Sequence, residues 1–134
     1  MASIEPVFQI LYTSRVAPGC DAIVVKGIAA TARRHNPAHA ITGALLFDGE
    51  HFCQLIEGAE SQVQELMRRI AQDARHTDVR TLFSGRSAAG RRSSRWRSGY
   101  CEPASFEVFE GHAGEIAVPA IEAFVGLMKL ADLE

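Results

Sequence analysis

The chain has few cysteines and no closely spaced pair of them. Cys20, Cys53 and Cys101 are odd in number and far apart, so neither a disulfide framework nor a zinc ribbon is indicated, and reduced thiols are expected. His51 and Cys53 share one strand face, but two such groups without further ligands make no metal site, and none is expected. No apolar run reaches the ~18–20 residues needed to cross a bilayer. Met1-Ala2-Ser3-Ile4-Glu5 has neither the basic nor the apolar region of a secretory leader. A soluble, cytoplasmic protein is therefore the expectation. Charge of one sign is also scarce. The formal net charge of -2 gives no general attraction to nucleic acid or membrane. No aromatic residue interleaves with Arg86, Arg91 and Arg92, so no nucleic-acid groove is indicated.

What is present is enough for one core. Of the 134 residues, 47% are hydrophobic, which suits a single domain with a short tail. Charge is unevenly placed. Seven of the 14 basic residues are arginines between Arg75 and Arg97, whereas residues 102–134 hold seven acids and one lysine. That asymmetry suits subunit association or partner docking, and it equally suits a solvated arginine-rich loop.

Periodicity gives the order of elements. Val7–Ser14 alternates as a strand, and Asp21 can cap a helix running to about His35 with Val24, Ile28 and Ala32 on one stripe. Pro37 disfavours helix at Asn36, which places Asn36 at or just past the helix end. A strand at Ile41–Phe47, the turn Asp48-Gly49 and a strand at His51–Gly58 read as a hairpin. Ser61-Gln62-Val63-Gln64 reads as a capping box opening a helix that ends near Asp73-Ala74. Further strands fit Val79–Ser84 and Trp96–Cys101, with a glycine-, serine- and arginine-rich stretch between them, Gly85 to Ser94, that should be mobile. The pattern β-α-β-β-α-β is an α+β, ferredoxin-like sandwich with an added fifth strand. A helix starting near Pro119, striped by Ile121, Phe124, Val125, Met128 and Ala131, should pack on the back of the sheet or in a dimer interface.

Gln54 stands out against this background. Side chains alternate along a strand, so Phe52, Gln54 and Ile56 share a face that wants a core. Tyr12 shares the corresponding face of the first strand with Phe8 and Ile10. An amide buried without partners costs about 1–3 kcal/mol, so something polar must meet it. A satisfied core Tyr–Gln pair is one answer. A redox-capable phenol wired through an amide to a ligand is the other.

The ordered set Leu11-Tyr12-Thr13-Ser14, Asn36, Ile41-Thr42-Gly43, Asp48-Gly49, Phe52-Cys53-Gln54, Leu55-Ile56-Glu57-Gly58, Asp73-Ala74-Arg75-His76 and Trp96 resembles the BLUF family, blue-light sensors using FAD. The resemblance covers about residues 6–101. It implies a flavin-binding domain over residues 1–101 and a C-terminal helical extension over 102–134. It implies that the Gln54 amide bonds flavin N5 and O4, that Tyr12 bonds Gln54 and reduces the excited flavin, and that Asn36 holds the ring's polar edge. Ile28 and Ile70 match residues that sandwich the ring, with Phe52 beside them. Arg33, His35, Arg75 and His76 fall where polar groups line the ring and the ribityl-phosphate side. For Arg33 and Arg75 a surface role fits as well, and His76 also suits a helix C-terminus. The resemblance further implies that photoinduced electron and proton transfer leaves the amide rotated or tautomerised, and that the fifth strand, with Trp96 and Ser98, reads the change. Here the sequence departs from the family pattern Trp-Ser-Met-Gly: Ser98 stands at the methionine position, and Ser93 stands where an aromatic residue is usual.

The implied protein is a photoreceptor and not an enzyme, since no nucleophile–base pair with a third orienting group is evident. No effector segment is read after the helix, so output is expected through a homodimer or higher homo-oligomer, or through a separate downstream protein. The alternative is a flavin-free or non-switching ferredoxin-like interaction module.

Overall fold

The structure is a computed structural model that describes residues 6–109 and 118–133. One mixed sheet runs in the order β4-β1-β3-β2-β5-β6. Its strands are β1 (Phe8–Val16), β2 (Thr42–Phe47), β3 (His51–Gly58), β4 (His76–Arg86), β5 (Trp96–Tyr100) and β6 (Asp132–Leu133). Helices α1 (Ala22–Ala38) and α2 (Glu60–Gln72) follow β1 and β3, and α3 (Val118–Leu130) follows a 3-10 segment at Pro103–Phe109. β5 pairs parallel with β2, and the other neighbouring strands pair antiparallel. This is the expected ferredoxin-like sandwich with a fifth strand and a C-terminal helix. The sixth strand and the 3-10 segment were not expected.

Strand alternation sorts the core into two clusters. Phe8, Ile10, Phe52 and Ile56 join Ile41, Leu45, Val63 and Trp96 on one face, packed against Val25 and Ile28 of α1 and Leu66 and Met67 of α2. Leu11, Cys53 and Leu55 join Leu46, Ile121, Phe124 and Met128 on the other. The first of the two places expected for α3, the back of the sheet, is therefore where it lies, with Pro119 in its first turn. Residues 110–117 of the extension lie outside the described residues.

Several boundaries differ from the sequence reading. Asp21 caps α1 as expected, accepting from Ile23 N and Val24 N. The helix then passes Asn36 and carries Pro37 inside its last turn, ending at Ala38. The proline removes one donor, and short-range bonds from His39 N to Asn36 O and Ala40 N to Pro37 O close the end. Ser61 is not a cap. α2 starts directly off β3 with Ala59 at the cap position and no side-chain cap bond, which puts Ser61 in the first turn. β4 is longer than expected because irregularities in its pairing with β1, at Leu11/Tyr12 and Thr13/Arg15, let it continue to His76.

Candidate functional site

Tyr12 and Gln54 are direct partners in the β1–β3 ladder. Gln54 Nε2 donates to the Tyr12 hydroxyl at 2.5 Å, with Tyr12 2% and Gln54 4% exposed. Burial pushes the Tyr12 phenol well above its ordinary range, an effect only partly offset by the bond from Gln54. The phenol therefore keeps its proton. Its hydrogen is free of the Gln54 bond, in which its oxygen accepts. An amide turned about its last bond would present Oε1 instead, and the phenol would then donate.

His76 forms a wall of the site. It lies in β4, not at a helix end, yet its Nε2 reaches the Ile70 carbonyl of the last turn of α2 at 2.9 Å. That nitrogen must carry the hydrogen. Nδ1, 2.8 Å from Ser14 Oγ, then accepts from the hydroxyl. Burial lowers the His76 pKa, which favours this neutral form. The ring centroid stands 6.4 Å from Tyr12 and 6.1 Å, edge-on, from Phe52.

Asn36 enters from α1 and is 1% exposed. His35 Nδ1 lies 3.1 Å from Asn36 Oδ1, and Asn36 Nδ2 is buried with no partner among the described residues. An unsatisfied buried amide donor costs about 1–3 kcal/mol. His35 Nε2 lies 3.4 Å from Arg69 Nη1 of α2. α1 packs over β2 and β5, and α2 over β1 and β3. Gln54 lies on the same face of β3 as Phe52 and Ile56, the face that the two helices cover.

The other predicted residues divide. Ile28 and Ile70 are half-buried on the two helices, and Ile28 packs on the helix-side cluster. Arg75 is held by Asp73, with Nη2 2.6 Å from Oδ2, and its Nη1 lies close under Gly27 of α1. That pairing lowers the Asp73 pKa. Arg33 is exposed on α1. Trp96 is buried in the helix-side cluster, with Nε1 unpartnered among the described residues. Ser98 shares its face but does not bond Gln54, because Leu45 pairs with both residues and stands between them. His51 turns to Asp48 at 3.3 Å, and Cys53 is buried in the back cluster, so these two do not converge on a common ion. A cavity of about 460 Å³ lies away from the Tyr12–Gln54 pair, between Arg15, Asp48, Glu50 and the 3-10 segment.

Sequence reasoning missed three participants. Ser14 and Glu57 stand in the quoted motifs without an assigned role and Arg69 in none, because they act through partners 62, at least 15 and 34 residues away. Nor is Gly85 to Ser94 a free loop: Ser87 Oγ bonds Gly90 O, and the Arg92 and Ser93 amides bond Glu57.

Fold and site together define an α+β domain with a buried phenol–amide pair on the sheet face that its two helices cover. The chain belongs to the BLUF family, sensors of blue light using FAD, whose family model matches residues 7–99. It is thus a blue-light-sensing flavin domain. It is 35% identical over 82 residues to the blue light- and temperature-regulated antirepressor BluF of Escherichia coli (strain K12), covering 61% of this chain and 20% of that protein. It is 39% identical over 71 residues to the photoactivated adenylate cyclase subunit beta of Euglena gracilis, covering 53% of this chain and 8% of that protein. The chain thus spans a fifth or less of the length of these two relatives. The dark-state structure of the BLUF protein BlrB superposes with a TM-score of 0.66 at 28% identity over 81% of each chain. The photo-activated state of BlsA, at 19% identity, shares the fold with a TM-score of 0.77 over 96% of this chain and 98% of that one.

The residues fit a flavin. A ring with carbonyls and ring nitrogens along one edge offers acceptors for the orphaned Asn36 Nδ2, and the Gln54 amide can both give and take. Among the described residues no helix is long and apolar enough to cross a membrane.

Proposed function

We propose that this chain is a photoreceptor that binds FAD non-covalently in the seam between α1 and α2 and reports blue light by turning the Gln54 amide. The observation that carries the reading is the buried Gln54–Tyr12 bond on the helix-side face of the sheet. Residues 1–101 form the flavin-binding domain, and 102–134 form the extension that passes the signal on.

A bound flavin supplies the blue-light absorption and, when excited, the capacity to take up one electron. Tyr12 gives that electron with the proton on its hydroxyl. Because the amide now donates to the Tyr12 oxygen, it can take up the phenol's proton only once it presents Oε1 to it. When electron and proton return to Tyr12, no bond has been made or broken overall, but the amide has turned. The bond to Tyr12 then runs in the opposite sense, from the hydroxyl to Oε1. Each such bond is worth about 1 kcal/mol net, so the two arrangements lie close in energy. Asn36 Nδ2 holds the ring's polar edge, with His35 fixing the amide from behind. Ile28, Ile70 and Phe52 bound the ring with apolar surface, and His76 closes one side as a neutral wall. Arg33 and Arg75 stand toward the ribityl-phosphate side.

Output runs through Trp96 and Ser98 of β5 and through α3, to a second copy in a homodimer or larger homo-oligomer or to a separate protein. The setting is the cytoplasm, which keeps Cys20, Cys53 and Cys101 reduced. The test is spectroscopic. Protein purified with FAD should be yellow and shift its absorption reversibly under blue light. A colourless product would refute the reading. A yellow protein without the shift would support the second reading, a non-switching interaction module, which the departures at Ser93 and Ser98 motivate.

A further inference from the structure

The strand of Gln54 is fastened to the signalling elements at another residue, Glu57. Glu57 lies three residues further along β3, on the opposite face, and is completely buried. A buried carboxylate is costly unless every lone pair is met. Gln9 Nε2 reaches Oε2 at 3.1 Å from β1, and Thr42 Oγ1 reaches Oε1 at 3.1 Å from β2. The rest comes from the segment before β5. Arg92 N lies 2.9 Å from each oxygen, and Ser93 N lies 2.8 Å from Oε1. Two successive backbone amides gripping one carboxylate form a concave anion seat.

Arg92 faces the other way with its side chain. Its guanidinium makes a two-pronged contact with Glu122 of α3, Nη1 to Oε1 at 2.5 Å and Nη2 to Oε2 at 3.1 Å. One residue is thus bound through its backbone to β3 and through its side chain to α3. From Ser93 the chain continues through Arg95, whose carbonyl accepts from Ser93 Oγ and from Gly43 N, directly into β5. By contrast, Ser98 and Gln54 are two strand spacings apart, about 10 Å.

We propose that Glu57 and Arg92 form the joint that transmits movement of β3 to the start of β5 and to α3. This deepens the photoreceptor reading and rests on it. Turning the Gln54 amide changes the side-chain bond that ties β3 to β1 through Tyr12. The carboxylate three residues on has no slack, so β3 either carries the Arg92–Ser93 segment with it or loses bonds to it. Both outcomes reach α3 through Glu122, and the seating of α3 on the back cluster is the element with two states.

Hydrogen exchange of the α3 amides, in darkness and under blue light, tests the joint. Arg92→Glu should make α3 exchange at least about threefold faster in the dark. The reciprocal pair Arg92→Glu with Glu122→Arg should restore the slow rate. The light-minus-dark difference in α3 should vanish in Arg92→Glu and return in the pair, while the absorption shift persists in both. Glu57→Gln should loosen residues 92 and 93 as well. If that variant fails to fold, the Arg92 and Glu122 variants carry the test without disturbing the buried carboxylate. Unchanged dark exchange in Arg92→Glu, or a light difference that survives it, overturns the proposal. A protein with no reversible absorption shift refutes the photoreceptor reading and the light-dependent half with it, and the dark comparison then decides the mechanical joint by itself.

Discussion

Gln54 donates to Tyr12 across neighbouring strands, and each is the other's direct register partner. Removing either end is therefore asymmetric. Tyr12→Phe keeps the ring packing but orphans the Gln54 donor, which should cost about 1–2 kcal/mol in denaturant unfolding. The yellow colour should remain while the light-induced shift disappears. A Tyr12→Phe protein that still shifts reversibly would show that the phenol is not the electron donor.

Ser98→Met tests the fifth strand. Leu45 separates residue 98 from Gln54, so a longer side chain acts by filling space above β2 and β5. The expected result is a changed dark-recovery time and changed light-dependent association, read by absorption and by light scattering. If both stay as in the parent, β5 does not read the switch at this position.

The two faces of the sheet are legible because β1 and β3 alternate cleanly, and that alternation puts Tyr12 and Gln54 on one face; that they meet depends on the two strands being neighbours, which the β1–β3 ladder supplies. Elsewhere tertiary contacts overrode local pattern. Ser61 and Gln64 have capping-box chemistry, but β3 runs into α2 with only Ala59 between them, so the first turn forms before Ser61. Two residues are too few to show a strand period, which hides β6. Glu57 looks like any acid at a strand end, because its donors come from positions 9, 42, 92 and 93.

His76 gives a pH signature. Burial lowers its folded-state pKa below the unfolded value of about 6.5, so the unfolded chain binds more protons between the two. Its contribution is intact above about pH 6.5 and is lost as pH falls toward the folded value. The Asp73 pKa is depressed by Arg75, and that contribution is lost only below the usual carboxylate range. The thermal midpoint should therefore fall between about pH 7 and 5 with uptake of up to one proton. In His76→Gln that part of the slope should flatten, and an unchanged slope would assign it elsewhere.

Gly43 tolerates no side chain. Its φ is +134°, and an added Cβ would lie 1.9 Å from the Leu55 carbonyl oxygen of β3. Gly43→Ala should cost about 3 kcal/mol or more, seen as a lowered urea midpoint or loss of soluble protein. A variant of parental stability would mean that β2 can draw back from β3.

Glu57 also bears on the order of assembly. Its carboxylate is satisfied only when segments 35 to 48 residues away in sequence have met, apart from the nearer Thr42. Until then the group is better left in water. The contacts should therefore form after the rate-limiting step of folding, and weakening them should speed unfolding while leaving the refolding rate nearly untouched. In a chevron plot of Glu57→Gln, the unfolding limb should rise and the folding limb should hold. The same buried acid that fastens β5 to the sheet would then act as a kinetic lock, setting how long the finished domain lasts and contributing little to how fast it forms.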